Sequence, residues 1–318
     1  MKLIITIPAF NEEKTIGQVI HEIPKSIPKI SSIRVLVIDD GSTDQTAAIA
    51  RKHGAIVLSH ATNQGLAKSF RDGLNAALEM NTDIIVNTDG DMQYNQKQIP
   101  LLVKPIVSKK SDIVLGSRFA GKIESMSWRK RMGNKLATKA VALVSGIPIS
   151  DGQTGFRAFS KEAALRLNVL SDYTYTQETI IQAAYLQLRI KEVPIEFRKR
   201  ADESRLISSM WGYAKKSAYT LLMGYLTYHP FKVFLTIGSV LFAAGFLFGL
   251  SVLIHFFSSG LVAPYFPTAL LSVGLMIFGF QIVAIGLVAE MIKNNRKIEE
   301  DILYRIKKQN LNQSKKNK

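Results

Sequence analysis

Asp83-Ile84-Ile85-Val86-Asn87-Thr88-Asp89-Gly90-Asp91-Met92-Gln93 is the stretch on which the fold turns. Its β-branched run reads as a short buried strand, Asp83–Asn87. Two carboxylates follow at i and i+2 as that strand ends. This spacing aims two hard oxygens at one point, the donor type that Mg²⁺ or Mn²⁺ prefers, and Gln93 adds a carbonyl oxygen. An Asp-x-Asp pair also describes an ordinary solvated turn, so its neighbours must discriminate.

Outward from this stretch, Leu3–Ile7, Arg34–Ile38, Ala55–Leu58 and Asp112–Leu115 read as further buried parallel strands. Thr15–Glu22, Thr43–His53, Ala67–Met80 and Ile99–Val107 read as the helices between them. Such alternation predicts an α/β doubly wound sheet, in which ligands sit at the carboxyl ends of the strands. The residues following the strands are Pro8-Ala9-Phe10-Asn11-Glu12-Glu13, Asp39-Asp40-Gly41-Ser42-Thr43-Asp44, Asp89-Gly90-Asp91 and Gly116-Ser117-Arg118. Three acidic clusters and one arginine thus converge on one edge. Their mutual repulsion is relieved by a divalent cation together with a polyanionic ligand. No Gly-x-Gly-x-x-Gly follows a strand and no P-loop sequence occurs, so phosphate must be met by metal and basic side chains.

The chain has 318 residues and a formal charge of +16. It has no cysteine, which excludes disulfides, thiol nucleophiles and thiolate metal sites. Between Lys232 and Glu290 there is no Asp, Glu, Lys or Arg. Two apolar runs in that interval, about 233–257 and 266–289, are each long enough to cross a bilayer, with a Gly- and Pro-containing turn between them. Lys215, Lys216 and Lys232 precede this hairpin, and Lys293, Arg296 and Lys297 follow it. The positive-inside rule therefore predicts a cytoplasmic N-terminal domain with both termini cytoplasmic. Residues 204–230 mix helical apolar spacing with Arg, Lys, Trp and Tyr, which predicts interfacial amphipathic helices. The expected organisation is a domain over 1–203, interfacial helices over 204–230, a membrane hairpin over 231–290 and a basic tail over 291–318. Lys104–Lys139 carries ten Lys/Arg against two acidic residues, Arg131 among them, and Arg198, Lys199, Arg200 and Arg205 form a second basic cluster. Either cluster suits phosphate or anionic headgroups. Their position beside the acidic edge and the membrane argues against nucleic acid as the partner.

The strand-end motifs, in this order and spacing, resemble family 2 glycosyltransferases of GT-A fold. Within that family the chain resembles the dolichol-phosphate mannosyltransferase and polyprenyl-phosphate glycosyltransferase branch. Asn63-Gln64-Gly65, Gly116-Ser117-Arg118, Asp151-Gly152-Gln153-Thr154-Gly155-Phe156-Arg157-Ala158-Phe159 and Glu203-Ser204-Arg205 extend the resemblance over about residues 1–210. It implies a Rossmann-like nucleotide-sugar domain ahead of the interfacial helices and hairpin. It also implies transfer of a hexosyl group from a UDP- or GDP-sugar to a polyprenyl phosphate, with inversion and with Mg²⁺ or Mn²⁺. Pro8, Phe10, Glu12 and Asp39 would line the nucleotide pocket, beside Asp40 and Gly90 of the same strand-end motifs. Asp89, Asp91 and Gln93 would hold the metal. Arg118, Arg131 and Arg200 would meet the diphosphate or the acceptor phosphate. Asp151 and Glu178 are candidates for acceptor-side roles; Glu178 equally suits the start of a helix, where an acidic side chain complements the dipole. Phe10 stands where the family usually has Tyr, and Arg205 where its mannosyltransferases usually have Lys, so the sugar stays open. A hydroxyl-bearing acceptor and a non-catalytic nucleotide-sugar sensor are the alternative functions. No heptad seam decides oligomeric state, and a homo-oligomer is compatible with the sequence.

Overall fold

The computed structural model describes residues 1–169, 175–199, 219 and 222–316. It divides into two units, residues 1–222 with 304–318, and residues 223–303.

The first unit is built on seven strands: β1 (Lys2–Ala9), β2 (Ser32–Asp39), β3 (Ile56–Ser59), β4 (Ile84–Asn87), β5 (Ile113–Ile123), β6 (Arg157–Ser160) and β7 (Ile190–Phe197). They lie in the order β3-β2-β1-β4-β6-β5-β7. Period-two patterning builds the two faces. Leu3, Ile5 and Ile7 enter one core and Ile4 the other. The first core is closed by α1 (Ile16–Glu22), α2 (Thr46–Lys52) and α4 (Ile99–Val107). The second is closed by α3 (Leu66–Glu79), α6 (Lys161–Arg166) and α7 (Tyr175–Tyr185). The helix α5 (Trp128–Ser145) is capped by the Ser127 hydroxyl and ends at Gly146, whose φ is +69°.

The five strands read from the sequence all run in one direction, and the sheet also holds two strands, β6 and β7, that the sequence reading did not include. Strand β6 is antiparallel to both β4 and β5 and separates them. Its four residues carry a central Ala-Phe pair and no alternating run, so no strand period announces it. Its reversed direction has a functional consequence. The segment entering β6, residues 151–156, arrives at the edge where β1, β2 and β4 end. One row of partners, Thr6–Asn87–Arg157–Leu115, runs across four strands just beneath that edge.

The second unit contains α8 (Pro230–Ser259) and the first part of α9 (Phe266–Lys316). Both helices are long and apolar enough to cross a membrane. Small residues bring them together. A side-chain carbon at Gly238 would lie 2.6 Å from the Gly279 carbonyl, and one at Gly245 would lie 2.8 Å from the Ser272 carbonyl. The Ser272 hydroxyl donates to the Gly245 carbonyl at 2.7 Å. Gly238 and Gly245 on one helix, and Ser272 and Gly279 on the other, repeat at seven-residue spacing. Apolar helices in lipid gain no hydrophobic drive to associate, so such close backbone approach supplies the packing.

The second helix does not stop near residue 289. It continues to Lys316, so the expected tail is helical. From Tyr304 onward it belongs to the first unit. There the Tyr304 hydroxyl meets Glu162 at 3.1 Å, Arg166 lies over the Tyr304 ring at 4.6 Å, and Lys307 donates to Asn168 at 2.8 Å. Most of the predicted interfacial segment, including the Glu203-Ser204-Arg205 motif, lies outside the described residues.

Candidate active site

The loops after β1 and β2 are stitched to one another. Asn11, at φ +55°, donates its backbone N–H to Ser42 Oγ at 3.0 Å and accepts from the Thr43 N–H at 2.8 Å. The Glu12 N–H donates to Thr46 Oγ1 at 2.8 Å. Pro8 is paired opposite Ile38 in the β1–β2 ladder, whereas the β1–β4 ladder ends at Thr6. Phe10 and Glu12, half-buried, stand just past the strand end.

Asp39 and Asp40 are both buried, but they face different tasks. Asp39 accepts from the Ser42 N–H at 3.1 Å, which closes the turn beside the crevice. Asp40 accepts from His60 Nδ1 at 2.8 Å and from the backbone N–H groups of Gln64 and Gly65, each at 2.9 Å. Burial alone would raise its pKa. The hydrogen bonds from His60, Gln64 and Gly65 outweigh burial and hold the carboxyl below its ordinary value. Asp40 therefore anchors the 60–65 loop. His60, which the sequence did not single out, is the bridge: its other nitrogen lies 3.2 Å from Asp72 Oδ2.

Asp89, Gly90 and Asp91 follow β4 as expected. Gly90 lies beneath Glu12, whose Cγ would be 3.6 Å from a side-chain carbon at Gly90. Asp91 is buried, and its Oδ1 accepts from the Gln93 N–H at 3.1 Å. The residue between them, Met92, takes φ +63°, turning the chain so that Gln93 folds back on Asp91. The Gln93 carbonyl accepts from the Arg198 N–H at 2.8 Å, tying this turn to the end of β7. Arg198 itself pairs with Glu22 at 2.9 Å.

The environment of Asp89 contains residues that the sequence did not single out. A side-chain carbon at Gly155 would lie 2.9 Å from Asp89 Oδ1 and 3.0 Å from the Tyr175 hydroxyl. Asn87 donates to the Gly155 carbonyl and to the Tyr175 hydroxyl, each at 3.0 Å. The Tyr94 hydroxyl accepts from the Gly155 N–H at 2.9 Å. Burial first, and then the charge of Asp89, push the pKa of both tyrosines up, so both are neutral hydrogen-bonding groups. Tyr94 directly follows Gln93 and Gly155 lies within the quoted 151–159 motif; Tyr175 precedes Thr176-Gln177-Glu178. Nearness to a motif was the available signal for all three.

Arg118 and Asp151 are a single unit. The Arg118 guanidinium binds Asp151 through Nε at 2.7 Å and a terminal nitrogen at 2.9 Å, and its backbone N–H adds a third bond at 3.0 Å. Burial would lower the arginine pKa, but the Asp151 carboxylate more than offsets this and raises it. The guanidinium also lies over the Phe197 ring at 5.1 Å. Arg157 is fully buried on the adjacent strand β6 and is bound to the carbonyls of Thr154, Thr176 and Gly152 and to Thr179 Oγ1. Burial without a carboxylate partner among these bonds brings its pKa down to about 10. Arg157 thereby fastens the 152–156 loop to the start of α7.

Arg131 is an exposed group in the first turn of α5, apart from the buried pair. Glu178 sits in the first turn of α7 and accepts from Gln182 at 3.1 Å. Arg200 lies outside the described residues.

The carboxylates of Asp89 and Asp91 are hard donors from one turn. No side chain at position 155 crowds Asp89, and the Gln93 N–H orients Asp91. Among the described residues no group of three or more His, Cys, Asp or Glu forms a closed metal cage. This donor set fits Mg²⁺ or Mn²⁺ that completes its shell with phosphate and water.

Acidic loops gathered at the carboxyl edge of an α/β sheet lie where such folds bind their ligands. The glycosyl transferase family 2 model matches residues 4–167, and the chain belongs to that family. A UDP-N-acetylglucosamine–dolichyl-phosphate N-acetylglucosaminyltransferase of Methanococcus voltae is 31% identical over 217 residues, covering 60% of this chain and 84% of the relative. An undecaprenyl-phosphate 4-deoxy-4-formamido-L-arabinose transferase of Proteus mirabilis is 25% identical over 309 residues, covering 92% of this chain and 88% of the relative. In fold, the chain resembles the crystal structure of glucosyl-3-phosphoglycerate synthase from Mycobacterium tuberculosis, in complex with Mn²⁺, UDP and glucosyl-3-phosphoglycerate. That similarity has a TM-score of 0.56 at 24% identity and covers 70% of this chain and 79% of the other. The protein is thus a family 2 glycosyltransferase with two candidate membrane-spanning helices.

Proposed function

We propose that the protein transfers a hexosyl group from a nucleotide-sugar to a polyprenyl phosphate at the cytoplasmic face of a membrane. The observation that carries this reading is the turn bearing Asp89 and Asp91, set against the stitched β1 and β2 loops in a chain that also holds two membrane-length helices. Two relatives whose names specify dolichyl and undecaprenyl phosphate support the acceptor class, although their sugars differ. The cytoplasmic face follows from the basic flanks of the hairpin.

In this reading Pro8, Phe10, Glu12 and Asp39 line the nucleotide site, and Asp40 shapes it through the 60–65 loop. Asp89 and Asp91 would hold Mg²⁺ or Mn²⁺, with Gln93 orienting Asp91. A divalent cation there supplies Lewis-acid stabilisation of charge on the leaving diphosphate. The Arg118–Asp151 pair and Arg157 keep the 151–156 segment folded over Asp89. Arg118 also contributes positive potential beside the carboxylate cluster, while exposed Arg131 is available to phosphate, and Arg200 is assigned to phosphate by its place in the sequence motif alone. An acceptor phosphate oxygen bonds to the anomeric carbon as the bond to the β-phosphate breaks, and the nucleoside diphosphate departs with inversion. A phosphate monoester has a second pKa of about 6, so at neutral pH it attacks without a general base. This leaves Glu178, bound to Gln182, a structural role at the head of α7.

The test is nucleoside diphosphate release by the full chain in detergent, with Mn²⁺ or Mg²⁺ and a panel of UDP- and GDP-hexoses. The expected result is release from one donor only when a polyprenyl phosphate is present. Release with a sugar hydroxyl acceptor instead would identify the alternative transferase. Donor binding without release under either condition would identify a sensor.

A further inference from the structure

The helix α5 is amphipathic in an inverted sense. Thr138 and Val141 are buried on its inner side. Its outer side carries Trp128 (72% exposed), Met132 (51%), Leu136 (69%) and Leu143 (84%). At 100° per residue these four fall within an arc of about 80°, in a ridge about 22 Å long. Isolated exposed apolar residues are ordinary on a protein surface, but four large ones aligned on a single ridge form a patch that needs an occupant.

The charge around the ridge identifies that occupant. Lys130, Arg131, Lys135 and Lys139 are all exposed, and the helix contains no Asp or Glu. By the same rule Arg131 and Lys135 border the stripe on one side, Lys139 falls within its arc and Lys130 lies on the opposite side. A stripe bordered and interrupted by cations and by no carboxylate matches an anionic bilayer surface, with the apolar side chains at the acyl boundary and Lys135 and Lys139 at the headgroups. The ridge is also tied to the candidate site. Phe119 lies 6.0 Å from Lys135 Nζ and 5.9 Å from the Arg118 guanidinium, so one ring separates α5 from the buried Arg118–Asp151 pair. We infer that the outer face of α5 is a membrane-docking surface, seating on anionic lipid and holding the carboxylate crevice close to the headgroup layer. This rests on the hairpin being membrane-embedded, and the test separates the two readings.

The chain has no native cysteine, so single-cysteine reporters need no background removal. Leu136→Cys, Leu143→Cys, Lys52→Cys and Leu247→Cys, each in the full chain, are labelled with an environment-sensitive fluorophore. The proteins are reconstituted into phosphatidylcholine–phosphatidylglycerol vesicles containing a doxyl-lipid quencher. Leu247 in α8 is the lipid reference and Lys52 at the end of α2 is the water reference. For a helix seated about 5–10 Å into the interface, quenching at 136 and 143 should come within about twofold of that at 247. Lys135→Glu with Lys139→Glu, or pure phosphatidylcholine vesicles, should lower quenching at 136 without changing it at 247. Labels at 136 and 143 as unquenched as the label at 52, with 247 quenched, would overturn the docking surface and leave the hairpin intact. Close approach of labels on two chains at 136, unchanged by diluting protein in lipid, would show that a second copy covers the ridge and would equally overturn it.

Discussion

Asp89 and Asp91 are separated by one residue, yet their surroundings differ. Asp89 lies beside two neutral tyrosines and the unsubstituted Gly155, whereas Asp91 is held by the turn through Gln93. Asp91→Asn keeps an oxygen for the Gln93 N–H but removes the charge. The variant should fold normally and lose about 100-fold or more in turnover, measured as nucleoside diphosphate release, as expected for a lost electrostatic contact to the reacting phosphate. Asp40 calls for a different experiment. Its folded pKa is depressed, so its contribution is fully present above the ordinary carboxylate value of about 4 and is lost as pH falls through the lower folded value. At pH 7, Asp40→Asn should cost about 1–3 kcal/mol through its hydrogen bonds to the 60–65 loop. The difference in thermal midpoint between variant and parent should shrink as the pH is lowered from 6 to 3. A constant difference would show that the charge of Asp40 does not matter.

Strand β6 and helix α9 are the elements whose roles exceed their sequence signals. Strand β6 is short, but its direction delivers the 151–156 segment to the site, and buried Arg157 secures it. Helix α9 contributes a different surface to each of the two units. Its apolar part meets α8 through Gly279 and Ser272. Gly279→Leu should force the pair apart, costing about 1–3 kcal/mol of overpacking and lowering the midpoint of the detergent-solubilised protein. Its last turns meet α6 through Tyr304 and the segment after α6 through Lys307, which donates to Asn168. Tyr304→Ala removes a hydrogen bond to Glu162 and the ring beneath Arg166. A loss of about 1–2 kcal/mol is expected, and residues 304–316 should become more readily cleaved in limited proteolysis.

For the molecule as a whole, the prediction concerns sidedness. A cysteine at Ser259, beside the turn between α8 and α9, should react with an impermeant maleimide from outside intact cells. A cysteine at Lys52 should react only after permeabilisation. The opposite pattern would reverse the orientation argued from the basic flanks.

The three acidic strand-end motifs, the helix Ile99–Val107 and the membrane-length runs were legible from residue order alone. Each depends on a local physical signal: a strand period, a turn composition, or an uncharged run long enough for a bilayer. These signals decide which residue types follow which strands, and hence that the chain carries an acidic strand-end edge and two membrane-length apolar runs. Residue order did not show that Arg118 and Asp151 are partners, that Asp40 belongs to the 60–65 loop, or that Gly155 and Tyr175 surround Asp89. Nor did it show that α5 turns its apolar ridge outward, since the same periodicity would suit a buried face. Those relations join residues distant in sequence, and they arise only when strand order and the reversal of β6 bring separate segments to one edge.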